Sequence, residues 1–138
     1  MSGFTLPQLL ITIVVLALVT ALAAPRFVRY QDALSVRAAA LDVGSALARA
    51  RLVAFQRASK AAARFDTASV SLAVVSYTDT IETRPLGALY GVSLAITRDS
   101  VTYAANAMGF GASNTRIIVA RGLAAETLTV SRLGRVRH

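Results

Sequence analysis

The sequence predicts an α+β protein in which one long N-terminal helix packs on an antiparallel β-sheet. Three observations predict it. Residues 4–24 hold no charged side chain, residues 26–59 carry apolar side chains at a helical period, and beyond residue 59 the period changes to two. The 138 residues leave room for one small domain and not for two. The chain is both apolar, at 55% hydrophobic residues, and basic, with a formal net charge of +8. These two properties separate along it, because every charged side chain lies at or after Arg26. The absence of cysteine excludes a disulfide scaffold, the usual structural zinc sites and thiol chemistry. The hydrophobic share argues against intrinsic disorder.

The first element is an apolar helix. Its densest part is residues 9–24, LLITIVVLALVTALAA. A bilayer core of about 30 Å needs about 20 helical residues, so the run is long enough to span it. A cleaved secretory signal is the other reading, with Ala-Leu-Ala-Ala before Pro25 as its cleavage region. Met1-Ser2-Gly3 lacks the basic segment such a signal requires, which favours a retained anchor. Charge points against the topology adopted below. Arg26, Arg29 and Arg37 follow the span, and the positive-inside rule alone would keep the C-terminal part in the cytoplasm.

The helix is expected to continue to about residue 58. Leu34, Leu41, Ala48 and Phe55 recur at seven, flanked by Ala38 and Leu52, and form the apolar stripe expected to meet the sheet. Arg29, Arg37, Asp42, Arg49 and Arg57 mostly occupy other faces. Pro25 is expected to bend the helix without ending it, since the periodicity resumes at once. Gly44 costs about 1 kcal/mol relative to Ala. Strands are expected over 61–66, 69–76, 92–97, 100–105, 116–120 and 127–131, with Arg98-Asp99 as the connection of a hairpin. Residues 77–91, with Pro85 and Gly87, read as a long loop or an edge, and 107–114 as a loop.

Catalysis has little support. His138 is the only histidine and the last residue. The seven acids, Asp32, Asp42, Asp66, Asp79, Glu82, Asp99 and Glu126, are scattered, without the spacing of a carboxylate pair or a metal site. Asp79 and Glu82 share the 77–91 segment, where a solvated loop is favoured over a cation site. Gly109-Phe110-Gly111 precedes no helix and is no phosphate cradle. A non-enzyme without cofactor or metal is expected.

Gly3-Phe4-Thr5-Leu6-Pro7-Gln8-Leu9-Leu10 at the extreme N-terminus, the charge-free run after it and Pro25 within Ala-Ala-Pro-Arg-Phe together resemble type IV pilins and pseudopilins. Residues 38–57, the late strands and the ending Leu128-Thr-Val-Ser-Arg-Leu-Gly-Arg-Val-Arg137 narrow the resemblance. They look like the H-type minor pseudopilins of type II secretion and the related FimT-type minor pilins of type IV pili. The resemblance implies a pilin-like fold, with residues 1–3 a leader, 4–25 a transmembrane and fibre-core helix, and 26–138 an amphipathic helix plus a periplasmic sheet domain. It implies cleavage by a prepilin peptidase between Gly3 and Phe4, N-methylation of Phe4, and assembly with other pilins or pseudopilins through the helix that first anchors the chain in the bacterial inner membrane. In fibres of this kind Gln8 and Pro25 would be assembly positions. Gln8 departs from the family's glutamate, and an amide cannot neutralise a neighbour's terminal ammonium in an apolar core. A minor or tip-located subunit is the expectation that follows. The uncharged leader is a second departure, which a start further upstream would explain.

The charge is uneven. Residues 26–64 carry eight basic and two acidic groups, residues 65–126 four and five, and residues 127–138 three arginines and no acid. Arg26 and Arg29 are read as reaching for anionic headgroups at the membrane exit. Two readings compete for the tail. In one, Gly134 turns the chain, Val136 packs, and Arg135 and Arg137 keep a sheet edge soluble. In the other, Arg132, Arg135 and Arg137 contact DNA, with Arg135 and Arg137 on one side of an extended segment gripping successive phosphates. Gly-Arg-Val-Arg resembles the DNA-contacting ending of FimT-type pilins, though similar endings occur in the secretion relatives.

Overall fold

The computed structural model describes residues 5–77, 79–111 and 114–137. Gly3, Phe4 and His138, singled out above, lie outside them. Helix α1 runs unbroken over Leu6–Gln56, through Pro25. At a rise of 1.5 Å per residue it is about 76 Å long. It is followed by β1 (Ala61–Asp66), β2 (Ser71–Ser76), β3 (Asp79–Arg84), the short α2 (Leu86–Tyr90), β4 (Ser93–Ile96), β5 (Ser100–Tyr103), β6 (Thr115–Arg121), β7 (Ala124–Val130) and β8 (Val136–Arg137).

These strands form two four-stranded antiparallel sheets, where the sequence reading had one. The orders are β3-β2-β1-β5 and β4-β6-β7-β8. The second half of α1 packs on both. Alternation along the strands sends Ala61, Ala63 and Phe65 of β1, Leu72 and Val74 of β2, Ile117 and Val119 of β6, and Leu128 and Val130 of β7 into one core beneath the helix.

Two expectations fail in informative ways. The stripe of Leu34, Leu41, Ala48, Leu52 and Phe55 does not face the sheets: Leu41 is 60% and Phe55 64% exposed. The buried stripe is Val36, Ala39, Ala40, Val43, Ala46, Leu47, Ala50, Val53 and Ala54. Both faces are apolar, and the one richer in small side chains lets two sheets approach the helix closely. The hairpin at Arg98-Asp99 does not form either. β4 pairs with β6, β5 pairs with β1, and the Asp99 carbonyl accepts from the Phe65 N–H at 2.7 Å. Neither Arg98 nor Asp99 has the positive φ that a tight two-residue hairpin needs. The exchange of β4 and β5 thus ties the two sheets together.

Residues 77–91, read as a loop or an edge, contain the edge strand β3 and helix α2. Only Ile81 of β3 packs against the core, so its sequence lacks a hydrophobic alternation. Asp79 and Glu82 consequently lie on a strand. β2 starts at Ser71 rather than 69 because the Asp66 carboxylate holds the preceding turn, accepting from the Ala68 N–H and the Ser69 hydroxyl. Those bonds also keep the Asp66 carboxyl below the usual range.

Candidate functional site

The exposed half of α1 is the first candidate. Residues 6–24 touch neither sheet, and their apolar side chains are all exposed. Three polar side chains interrupt the run, and each bonds within the helix. Thr12 Oγ1 donates to the Gln8 carbonyl and Thr20 Oγ1 to the Leu16 carbonyl, both at 2.8 Å. Gln8 Oε1 accepts from the Thr5 N–H at 3.1 Å, closing the first turn together with Pro7. The sequence signal for this cap is the Thr-x-x-Gln spacing of Thr5 and Gln8. An apolar cylinder with its hydroxyls satisfied internally suits a medium that offers no hydrogen bonds. It fits a single-pass membrane anchor.

Two arginines fasten the sheets to the other half of α1. Arg84 of β3 binds the Asp42 carboxylate, donates to Ser45 Oγ at 2.8 Å, and donates from Nε to Glu82 Oε1 at 2.7 Å. Arg49 Nε lies 3.2 Å from Glu82 Oε2. The hydrogen bond from Arg84 holds the Glu82 carboxyl below the ordinary glutamate value, and raises the already high value of Arg84. Burial, aided by Asp42, pushes the Tyr90 phenol up. Arg121, at the end of β6, pairs with Asp32 at 2.9 Å and donates to Ser35 Oγ and the Tyr90 carbonyl at 3.1 and 2.6 Å. Sequence reasoning placed none of these, because every pair except Arg84–Glu82 on one strand joins residues that are dozens of positions apart.

The arginine tail is the second candidate. Gly134 turns the chain with φ +78°, and Val136 is half-buried on the edge strand β8, as the solubility reading of the tail required. Arg135 and Arg137, expected to act together, border different concavities. Arg137 lines a shallow cavity of about 480 Å³ on the outer face of the second sheet, with Thr97, Asn114, Arg116, Thr129 and Ser131. Arg135 borders a different concavity, an apolar groove of about 690 Å³ between the tail and the outward face of α1. Arg132 sits on the turn between β7 and β8. The register supplies a partner the sequence hid: Arg116 is opposite Thr129, and Thr129 is opposite Arg137. The two guanidinium-bearing residues thus flank a hydroxyl across two strand spacings, about 10 Å. No group of acids and histidine suited to a metal ion occurs among the described residues.

No protein-family model and no curated protein matches this chain. Among solved structures it is similar to the type IV minor pilin FimU of Pseudomonas aeruginosa strain PAO1. The crystal form in space group P21 superimposes with a TM-score of 0.64 at 13% identity, over 74% of this chain and 86% of that one. The form in P65 gives 0.60 at 12% identity, over 73% and 90%. At such identity the likeness is one of fold, and it agrees with the resemblance at the N-terminus: this chain has the pilin fold, one long N-terminal helix over antiparallel sheets.

Proposed function

We propose that this chain is a minor pilin or minor pseudopilin, a non-enzymatic subunit that anchors in the bacterial inner membrane and then assembles into a fibre. The observation that carries the reading is the exposed apolar half of α1, with its polar side chains bonded within the helix, continuous with a half that carries the sheets. In lipid that surface is solvated by acyl chains, and in a fibre by the equivalent helices of neighbouring subunits. Because both media are apolar, the transfer between them exposes no polar group. The sheet domain stays outside, on the periplasmic or cell-exterior side. Gly3 and Phe4 would be processed by a prepilin peptidase, and Gln8 and Pro25 would sit among neighbours. Mass spectrometry of the mature protein tests this: a chain beginning at N-methylated Phe4 is expected. An intact Met1 or a cut after Ala24 would overturn the reading.

One observation favours nucleic-acid contact as a second reading. The Arg116–Thr129–Arg137 row presents two cations on an outward sheet face with hydroxyls around them. This is the composition of a phosphate-contacting surface. It supports a DNA-uptake role better than the three-arginine tail alone, because Arg116 comes from a second strand. The full-length chain in detergent is expected to bind duplex DNA with a steep salt dependence. Substituting Arg116 and Arg137 by alanine should lower the slope of log K against log salt by about 0.9 for each lost phosphate contact. Unchanged binding in that double variant would refute the contact.

A further inference from the structure

The β6–β7 turn is held against α1 just above the apolar run. Arg121 at the end of β6 grips Asp32 and Ser35, and the following Gly122 takes φ +57°. A Cβ on Gly122 would approach Asp32 Oδ2 to 2.5 Å, so the backbone of the turn lies directly against the Asp32 carboxylate. Leu123 at the tip is 84% exposed, and with Arg29, Asp32 and Ala124 it borders one small cavity. The place of this contact along the helix is therefore known. Arg29 lies five residues and Asp32 eight residues beyond Ala24, a rise of about 8 to 12 Å. The headgroup layer on each side of a bilayer is about 5–8 Å thick, so the level of Arg29 is its outer margin and that of Asp32 lies a few ångströms beyond.

The same level of the helix carries exposed Phe27 and Tyr30 beside Arg26 and Arg29. Aromatic and basic residues are the side chains that settle at a membrane interface. Asp32 is the only acid before residue 42, and its carboxylate is engaged by Arg121, so this collar is left net positive. An exposed leucine next to a positive, aromatic collar matches an anionic headgroup layer in both charge and depth.

We propose that the β6–β7 tip, Gly122-Leu123, is a membrane contact that seats the sheet domain on anionic phospholipid headgroups, together with Arg26, Phe27, Arg29 and Tyr30. This rests on the reading of residues 6–24 as a membrane span. The Arg121–Asp32 pair is then a positioning contact: it holds the tip at headgroup depth and keeps Asp32 from repelling the lipid. Seated in this way, the domain has a defined tilt before assembly, and leaving the membrane breaks the lipid contact as well as withdrawing the helix.

The chain contains no tryptophan, so single substitutions report without background. The full chain is reconstituted in vesicles of phosphatidylglycerol and phosphatidylethanolamine carrying either brominated acyl chains or a headgroup nitroxide. Three variants are compared: Leu16→Trp in the span, Leu123→Trp at the tip, and Tyr77→Trp, an exposed residue near the far end of the helix. Leu16→Trp should be quenched by the brominated chains. Leu123→Trp should be blue-shifted and quenched by the headgroup nitroxide, and Tyr77→Trp by neither. Replacing phosphatidylglycerol with phosphatidylcholine should weaken the quenching of Leu123→Trp. If Leu16→Trp is quenched while Leu123→Trp emits as in water, the tip contact is wrong and the span stands. An unquenched Leu16→Trp overturns both. A blue-shifted Leu123→Trp that lipid does not quench places the tip against protein and refutes the proposal. Equal quenching in both lipid mixtures refutes the anionic component.

Discussion

Gly134 illustrates how much one position can decide. Its φ is +78°, it is buried, and a Cβ there would meet Tyr103 Cε1 at 2.6 Å and the Gly109 nitrogen at 3.2 Å. Tyr103 is buried, and that burial pushes its phenol up, so the added methyl would have to displace a packed ring. Gly134→Ala is therefore expected to cost roughly 1–3 kcal/mol through strain and overpacking, read as a lower thermal midpoint. It should also loosen β8, displacing Arg137 from Arg116. Glu82 provides a second test at this scale. Its folded value lies below the ordinary glutamate value of 4.5, so the stabilisation it contributes is complete above that value. The contribution declines as pH falls below it, through the lowered folded value. Glu82→Gln should remove that part of the acid limb in a profile of thermal midpoint against pH, leaving the neutral region less affected.

At the scale of elements, α1 has two apolar faces with different fates. Leu47 is fully buried under the sheets, whereas Leu52 and Phe55 point away from them. Leu47→Ala should cost about 2–5 kcal/mol. The double change Leu52→Gln and Phe55→Gln should alter the thermal midpoint little, since exposed substitutions usually stay within about 0.5 kcal/mol. The opposite ranking would restore the stripe that simple heptad spacing suggests. The distinction arises from volume. Alanine and valine dominate the buried stripe, with Leu47 its one leucine, while Leu41, Leu52 and Phe55 are left outside, where they line the groove beside the tail. Strand pairing follows a comparable logic. β4 and β5 are adjacent in sequence, but the Asp99 carbonyl is taken by Phe65, and each strand completes a different sheet.

Across the whole molecule, α1 serves as a shaft of which one half carries the sheets and the other is exposed. Arg84 and Arg121 fasten it at two levels, near Asp42 and near Asp32. The lower fastening sets where the sheet domain begins above the apolar run, and therefore how close the β6–β7 turn comes to a membrane. The positive charge is distributed on this frame. Part of it forms the collar at Arg26 and Arg29, part is consumed by Asp32, Asp42 and Glu82, and part faces outward on the second sheet. The net charge of +8 is therefore spread over separate local settings and forms no single patch.

The sequence by itself determined the architecture along the chain. An uncharged run long enough for a bilayer, a helical period that resumes after Pro25, and a change to period two require one long helix followed by strands, because periodicity is a local property. Even the ending was legible in part, since Gly134 and the alternation around Val136 define a turn and an edge strand. Tertiary structure alone decided the rest. It chose which apolar face of α1 to bury, because Ala, Val and Leu lie on both and only the fit against two sheets separates them. It exchanged β4 and β5, because an alternating strand accepts any edge of matching pattern. It also brought Arg116 and Arg137 onto one sheet face and Leu123 near Arg29, placements of residues far apart in sequence that follow from register and from where the sheets lock onto the helix.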